Sequence, residues 1–143
     1  MTRVKSKSRS AAIVQCCIDN DPAVRATGFR KAVLEVLPDA KADFVPDAYA
    51  IRPDLRIIDL IEAVDTNPIS RAKASLIAEL WDHADERGWQ VMVIGYDSCG
   101  GLMFEMPGNV FCGAFLQKFM GDDTGNAIPA AMAVHREILS RPA

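Results

Sequence analysis

The sequence predicts an α/β domain, a mixed β-sheet flanked by helices, with elements in the order α-β-β-α-β-β-α-α. Three observations carry this. Residues 44–51 and 56–64 are rich in Val, Ile, Phe and Tyr and are separated by turn chemistry. Residues 69–84 place Ile69, Ala72, Leu76, Ile77, Leu80, Trp81 and Ala84 on one helical face. Residues 89–96 are almost entirely apolar, as a central strand covered on both faces would be.

A short helix is expected over residues 10–18. Asp21-Pro22 then reads as a helix start, a capping acid followed by proline in the first turn. The helix carries Val24, Phe29, Ala32, Val33 and Val36 to about Leu37, where Pro38 stops it. The two strands follow, joined through Arg52-Pro53-Asp54-Leu55. Asp65-Thr66-Asn67-Pro68 supplies an Asn N-cap with proline at the first helical position. Gly88 closes that helix, with Arg87 in its last turn. After the apolar strand, Asp97 to Gly101 makes a turn, and residues 102–106 form a further strand. Helices near residues 110–120 and 128–140 complete the chain.

At 143 residues the chain is one domain by length and can bury a core without disulfides or structural metal. No apolar run reaches the ~18 residues of a membrane span. The N-terminus lacks the apolar stretch of a signal peptide, so the expected setting is the cytoplasm, with no membrane partner. Cys16, Cys17, Cys99 and Cys112 show no CxxC spacing and read as reduced thiols. With only His83 and His135 available, a His/Cys zinc site has few ligands. Residues 1–10 hold Arg3, Lys5, Lys7 and Arg9 and no acid. They carry +4 against a total of −3, which leaves −7 on the remaining 133 residues. This segment reads as a basic, flexible arm before a single domain over residues 11–143. It either solubilises the chain or touches nucleic acid.

The chemistry concentrates on the hairpin. With the turn centred on Pro53-Asp54, Asp47 lies opposite Leu60, and Leu60, Glu62 and Val64 share the face of Asp47. Asp47 and Glu62 are then diagonal neighbours roughly 7–8 Å apart, close enough to converge on one hard divalent cation. A turn one residue longer or shorter would instead place Asp47 on the side of Asp59, where Asp65 could join it. Lys73 occupies the inward row Ile69, Lys73, Leu76 or Ile77, Leu80. Its ammonium either snorkels to the edge or reaches the carboxylates. Ser98-Cys99-Gly100-Gly101 lacks a phosphate-loop pattern and reads as a turn. Cys99 has no histidine fixed beside it, and His83 and His135 fall within helical patterns.

Pro46-Asp47, the hairpin, Glu62-Ala63-Val64, a helix and a hydrophobic strand resemble the PD-(D/E)XK nuclease superfamily, the restriction-endonuclease-like fold with an αβββαβ core. Residues 64–97 also look like small phage and bacterial proteins of this fold. The resemblance spans about residues 22–97. Asp47 matches the metal-binding aspartate of the PD motif, and Glu62 matches the acidic position of (D/E)XK. Val64 stands where the family has lysine; some members supply that lysine from the adjacent helix, as Lys73 would here. Glu35 corresponds loosely to an acid that some members add, or is surface charge. The resemblance implies Mg²⁺ or Mn²⁺ held by Asp47, Glu62 and the Ala63 carbonyl, with Lys73 orienting a water for phosphodiester hydrolysis. The implied partner is nucleic acid, DNA first. The alternative is a decayed site on the same fold, serving as a binding or scaffold component of a phage or host complex, with a protein partner or a second copy.

Overall fold

The computed structural model describes residues 2–63, 69–97, 101–111 and 136, with side chains from residue 11 onward. Eight elements follow in order: α1 (Thr2–Asn20), β1 (Val24–Arg25), α2 (Phe29–Val36), β2 (Ala48–Arg52), β3 (Ile57–Ala63), α3 (Arg71–Asp85), β4 (Gln90–Tyr96) and β5 (Leu102–Pro107). The strands form one sheet in chain order, β1-β2-β3-β4-β5. Only β3 and β4 run parallel, joined by the α3 crossover; the other neighbours are antiparallel. The α/β class and the mixed sheet are therefore as expected. Among the described residues no helix is long and apolar enough to cross a membrane.

Strand alternation sorts the side chains into two cores. Tyr49, Ile58, Leu60, Val91, Val93, Phe104 and Met106 face Phe29, Val33 and Leu37 from the α2 region and Ala74, Ile77, Leu80 and Ala84 of α3. Val24, Ala48, Ala50, Ile61 and Ile94 face the other way, toward Val14, Cys17 and Ile18 of α1. A sheet covered on both faces explains why β3 and β4 read as nearly continuous apolar runs.

Several local expectations are corrected. Asp21-Pro22 does not start a helix. Asp21 Oδ1 accepts from the Ala23 amide at 3.0 Å, closing a turn, and the chain then pairs Val24 with Ala50 at the sheet edge. The helix over this region begins only at Phe29, after Gly28 in the left-handed region at φ 75°. The first strand of the hairpin starts at Ala48, not at residue 44. The N-cap of α3 is Ser70, whose Oγ accepts from the Lys73 amide at 3.1 Å. Asn67 and Pro68 lie outside the described residues, as do Ser98 to Gly100. Gly88 does end α3 in the left-handed region, with φ 76°. The helical backbone of α1 runs from Thr2 through the basic segment, well before residue 10. Of the two C-terminal helices, only a helical turn at 108–111 is described, together with a helical position 136.

The hairpin register moves by two residues. Ala48 pairs with Ile61 and Arg52 with Ile57, so the loop is Pro53 to Arg56. Leu55 N–H donates to Arg52 O at 3.1 Å, Arg56 N–H donates to Pro53 O at 3.2 Å, and Arg56 sits at φ 56°. A left-handed residue completing a four-residue loop is common hairpin geometry, but arginine does not announce it in a sequence. Because the slip is even, every side chain keeps its face.

Candidate functional site

Continuing the observed register by one residue sets Asp47 directly opposite Glu62, closer than the diagonal relation expected. Both lie on the α3 side of the sheet, near the carboxyl end of β3. In open α/β sheets that is where ligands gather. Asp47 Oδ2 accepts from the Ala63 amide at 2.8 Å. Continuing the register one residue further would set Ala63 opposite Pro46, a residue with no N–H. A strand residue turns its N–H and C=O toward the same side, so the Ala63 carbonyl follows its amide toward the Asp47 side. The Pro46-Asp47 pair thus ends the ladder, with the Asp47 carboxylate substituting for a main-chain acceptor.

Glu62 is buried, with its side chain 4% exposed. The row across the sheet is Asp47, Glu62, Gly95, Phe104. A Cβ on Gly95 would fall 2.3 Å from Phe104 Cε2, so the Phe104 ring lies over Gly95 and forms an apolar wall on the β4 side of Glu62. Burial pushes the Glu62 carboxyl up to about 7, Lys73 holds it down, and the neighbouring Asp47 carboxyl pushes it further up. This is the environment expected of a carboxylate tuned to work near neutral pH.

Lys73 reaches this carboxylate from the first turn of α3. Its Nζ lies 2.5 Å from Glu62 Oε1, an ion pair without the angles of a hydrogen bond, and donates to the Val45 carbonyl at 3.0 Å. The Ser70 cap fixes that turn, so the ammonium bridges β3 and the loop that carries Asp47. Val45 itself is 78% exposed, which opens the site to solvent on this side.

The structure therefore brings Asp47, Glu62, Ala63 and Lys73 together. Asp59 does not join them. It lies on the α1 face, where Arg52 donates to it at 2.9 Å and to Asp21 at 2.7 Å. That clamp holds the Asp21 carboxyl below its ordinary range and ties the α1–β1 turn to the hairpin. Glu35 is exposed on α2, and His83 sits within α3. Val64, Asp65, Cys99, Cys112 and His135 lie outside the described residues. Two contributors to the site are not evident from sequence: the Val45 carbonyl and the Phe104 ring. The adjacency of Pro46 and Val45 to Asp47, and a lone glycine inside an apolar strand, were the available signals.

Two carboxylates on one face, Asp47 and Glu62, are oxygen donors of the kind a hard divalent cation takes. Among the described residues no group of three His, Cys, Asp or Glu side chains converges. No protein-family model matches the chain, and neither a curated protein nor a solved structure is found to be similar to it.

Proposed function

We propose that this chain is a metal-dependent nuclease of the restriction-endonuclease-like fold, hydrolysing phosphodiester bonds in DNA with Mg²⁺ or Mn²⁺ in a cytoplasmic setting. One observation carries the reading: a buried glutamate at the carboxyl end of β3, flanked by Asp47 on one side and the Lys73 ammonium on the other. Asp47, Glu62 and the Ala63 carbonyl would hold the cation. When bound, it supplies Lewis acidity toward a phosphoryl oxygen and lowers the pKa of a coordinated water.

The remaining work falls to the chain's own groups. Lys73 offers a positive charge and three rotatable donors at the mouth of the site, where it can hold a phosphate oxygen and orient the attacking water. Phe104 and the start of α3 keep bulk water from Glu62, which strengthens each electrostatic contact made there. The Ala63 amide fixes one Asp47 oxygen, Oδ2, beside Glu62. The basic segment at residues 1–10 adds four charges that favour a polyanionic partner.

The test is cleavage of single- and double-stranded DNA and RNA in Mn²⁺. Wild type should cut DNA, and Asp47→Asn and Glu62→Gln should each lose roughly two to four decades in rate. Failure of wild type on every substrate would favour the second reading, a decayed nuclease-fold protein acting as a scaffold in a phage or host complex. Two contacts support that alternative: Lys73 already neutralises Glu62, and Asp47 Oδ2 already serves the Ala63 amide.

A further inference from the structure

We propose, resting on the metal-dependent reading above, that Lys73 is the resident counter-ion of the Asp47–Glu62 pair. On this proposal a divalent cation enters only as the Lys73 ammonium leaves Glu62. The lysine is then a built-in plug of the cation site, released toward substrate by the cation's arrival.

The geometry points to this in three ways. Nζ of Lys73 lies 2.5 Å from Glu62 Oε1, a ligand oxygen in the donor set, on a carboxylate whose side chain is only 4% exposed. A divalent cation bound at ~2.1 Å from that oxygen would lie within about 4–5 Å of the ammonium, where two like charges beside a buried carboxylate repel. The lysine also has a path out. Its side chain is 23% exposed, and its second contact is the carbonyl of Val45, which is itself 78% exposed. Released from Glu62, the ammonium can keep the Val45 carbonyl and swing to the open side. A flexible stem with rotatable donors allows that movement, which the rigid fork of an arginine would hinder. Cation entry and the presentation of Lys73 to a phosphate oxygen thereby become one linked event.

The linkage is tested on the full-length wild-type protein by ¹H–¹⁵N correlation spectroscopy of lysine ammonium groups, first in EDTA and then through a Mg²⁺ titration. A slowly exchanging Lys73 signal is expected in EDTA, assigned by its loss in Lys73→Arg and moved in Glu62→Gln. Mg²⁺ should shift or abolish it in step with the rise in melting temperature. In parallel, Lys73→Gln should bind Mg²⁺ about tenfold more tightly than wild type, within the usual range of coupling between two ligands. Mg²⁺ binding with an unchanged Lys73 signal would overturn the plug and leave the metal reading intact. Equal or weaker Mg²⁺ affinity in Lys73→Gln would do the same. A Lys73 signal missing in EDTA would show that the ammonium is not held, and would also overturn the plug. No binding of Mg²⁺ or Mn²⁺ by any of these proteins would overturn both.

Discussion

Replacing Glu62 with Gln removes a buried charge while keeping the shape of the side chain, so its effect on stability reads the electrostatics of the site directly. The Glu62 carboxyl rises from an ordinary 4.5 to about 7 on folding. The folded state therefore holds this proton more tightly than the unfolded chain does. The resulting stabilisation is complete below pH 4.5 and is lost as pH rises through 7, where Glu62 must ionise inside the protein. At 1.36 kcal/mol per decade of pKa, the full swing is ~3 kcal/mol, most of it falling between pH 5 and pH 8.

Glutamine does not titrate, so Glu62→Gln should gain on wild type by that amount across the interval. The other carboxylates titrate in both proteins and cancel in the difference. Whatever Lys73 loses without its partner shifts the absolute offset between the two proteins, but hardly its dependence on pH. Urea or thermal unfolding in EDTA at pH 5, 6, 7 and 8 measures the difference. It should appear as a relative gain of roughly 5–10 °C in Tm for the variant by pH 8. A difference that stays flat from pH 5 to pH 8, or that moves against the variant, would refute the claim that Glu62 is desolvated and crowded by Asp47.

Other perturbations separate the remaining groups. In wild type, Mn²⁺ at about 100 times its Kd should stabilise the fold by ~2.7 kcal/mol, and Asp47→Asn or Glu62→Gln should abolish the gain; an equal Tm rise in all three proteins would place the ion elsewhere. Lys73→Met keeps the aliphatic stem, so the fold should survive while DNA cleavage falls by roughly two to four decades; equal cleavage would remove Lys73 from the chemistry. Deleting residues 1–10 removes four positive charges, so the slope of log K for DNA against log salt should fall by up to about 3–4. An unchanged slope would show that the segment does not meet phosphates.

The parts of this molecule that were legible in its sequence are those set by periodicity. The inward row Ile69, Lys73, Leu76 or Ile77, Leu80 brought Lys73 to the sheet, and the apolar run ending at Tyr96 was a central strand in parallel pairing. The shared face of Asp47 and Glu62 is also legible, although a turn centred on Pro53-Asp54 is too short. Its true length differs by two residues, and strand faces repeat every two. What stayed hidden depended on tertiary partners. Asp21-Pro22 carries a sound helix-start signal, but the Arg52 guanidinium, 31 residues away, draws Asp21 into a clamp with Asp59. Ser70 and Asn67 are both good caps, and local chemistry alone could not choose between them. The burial of Glu62 depends on packing between elements, including the Phe104 ring over Gly95 on the neighbouring strand, which no local pattern encodes.

The most direct measurement for the central claim is a crystal structure grown or soaked in Mn²⁺, with anomalous difference density locating the ion. One peak is predicted at ~2.1–2.2 Å from carboxylate oxygens of Asp47 and Glu62 and from the Ala63 carbonyl, with Lys73 Nζ withdrawn from Glu62. A structure at saturating Mn²⁺ with no peak at these three residues, and with Lys73 still paired to Glu62, would contradict it.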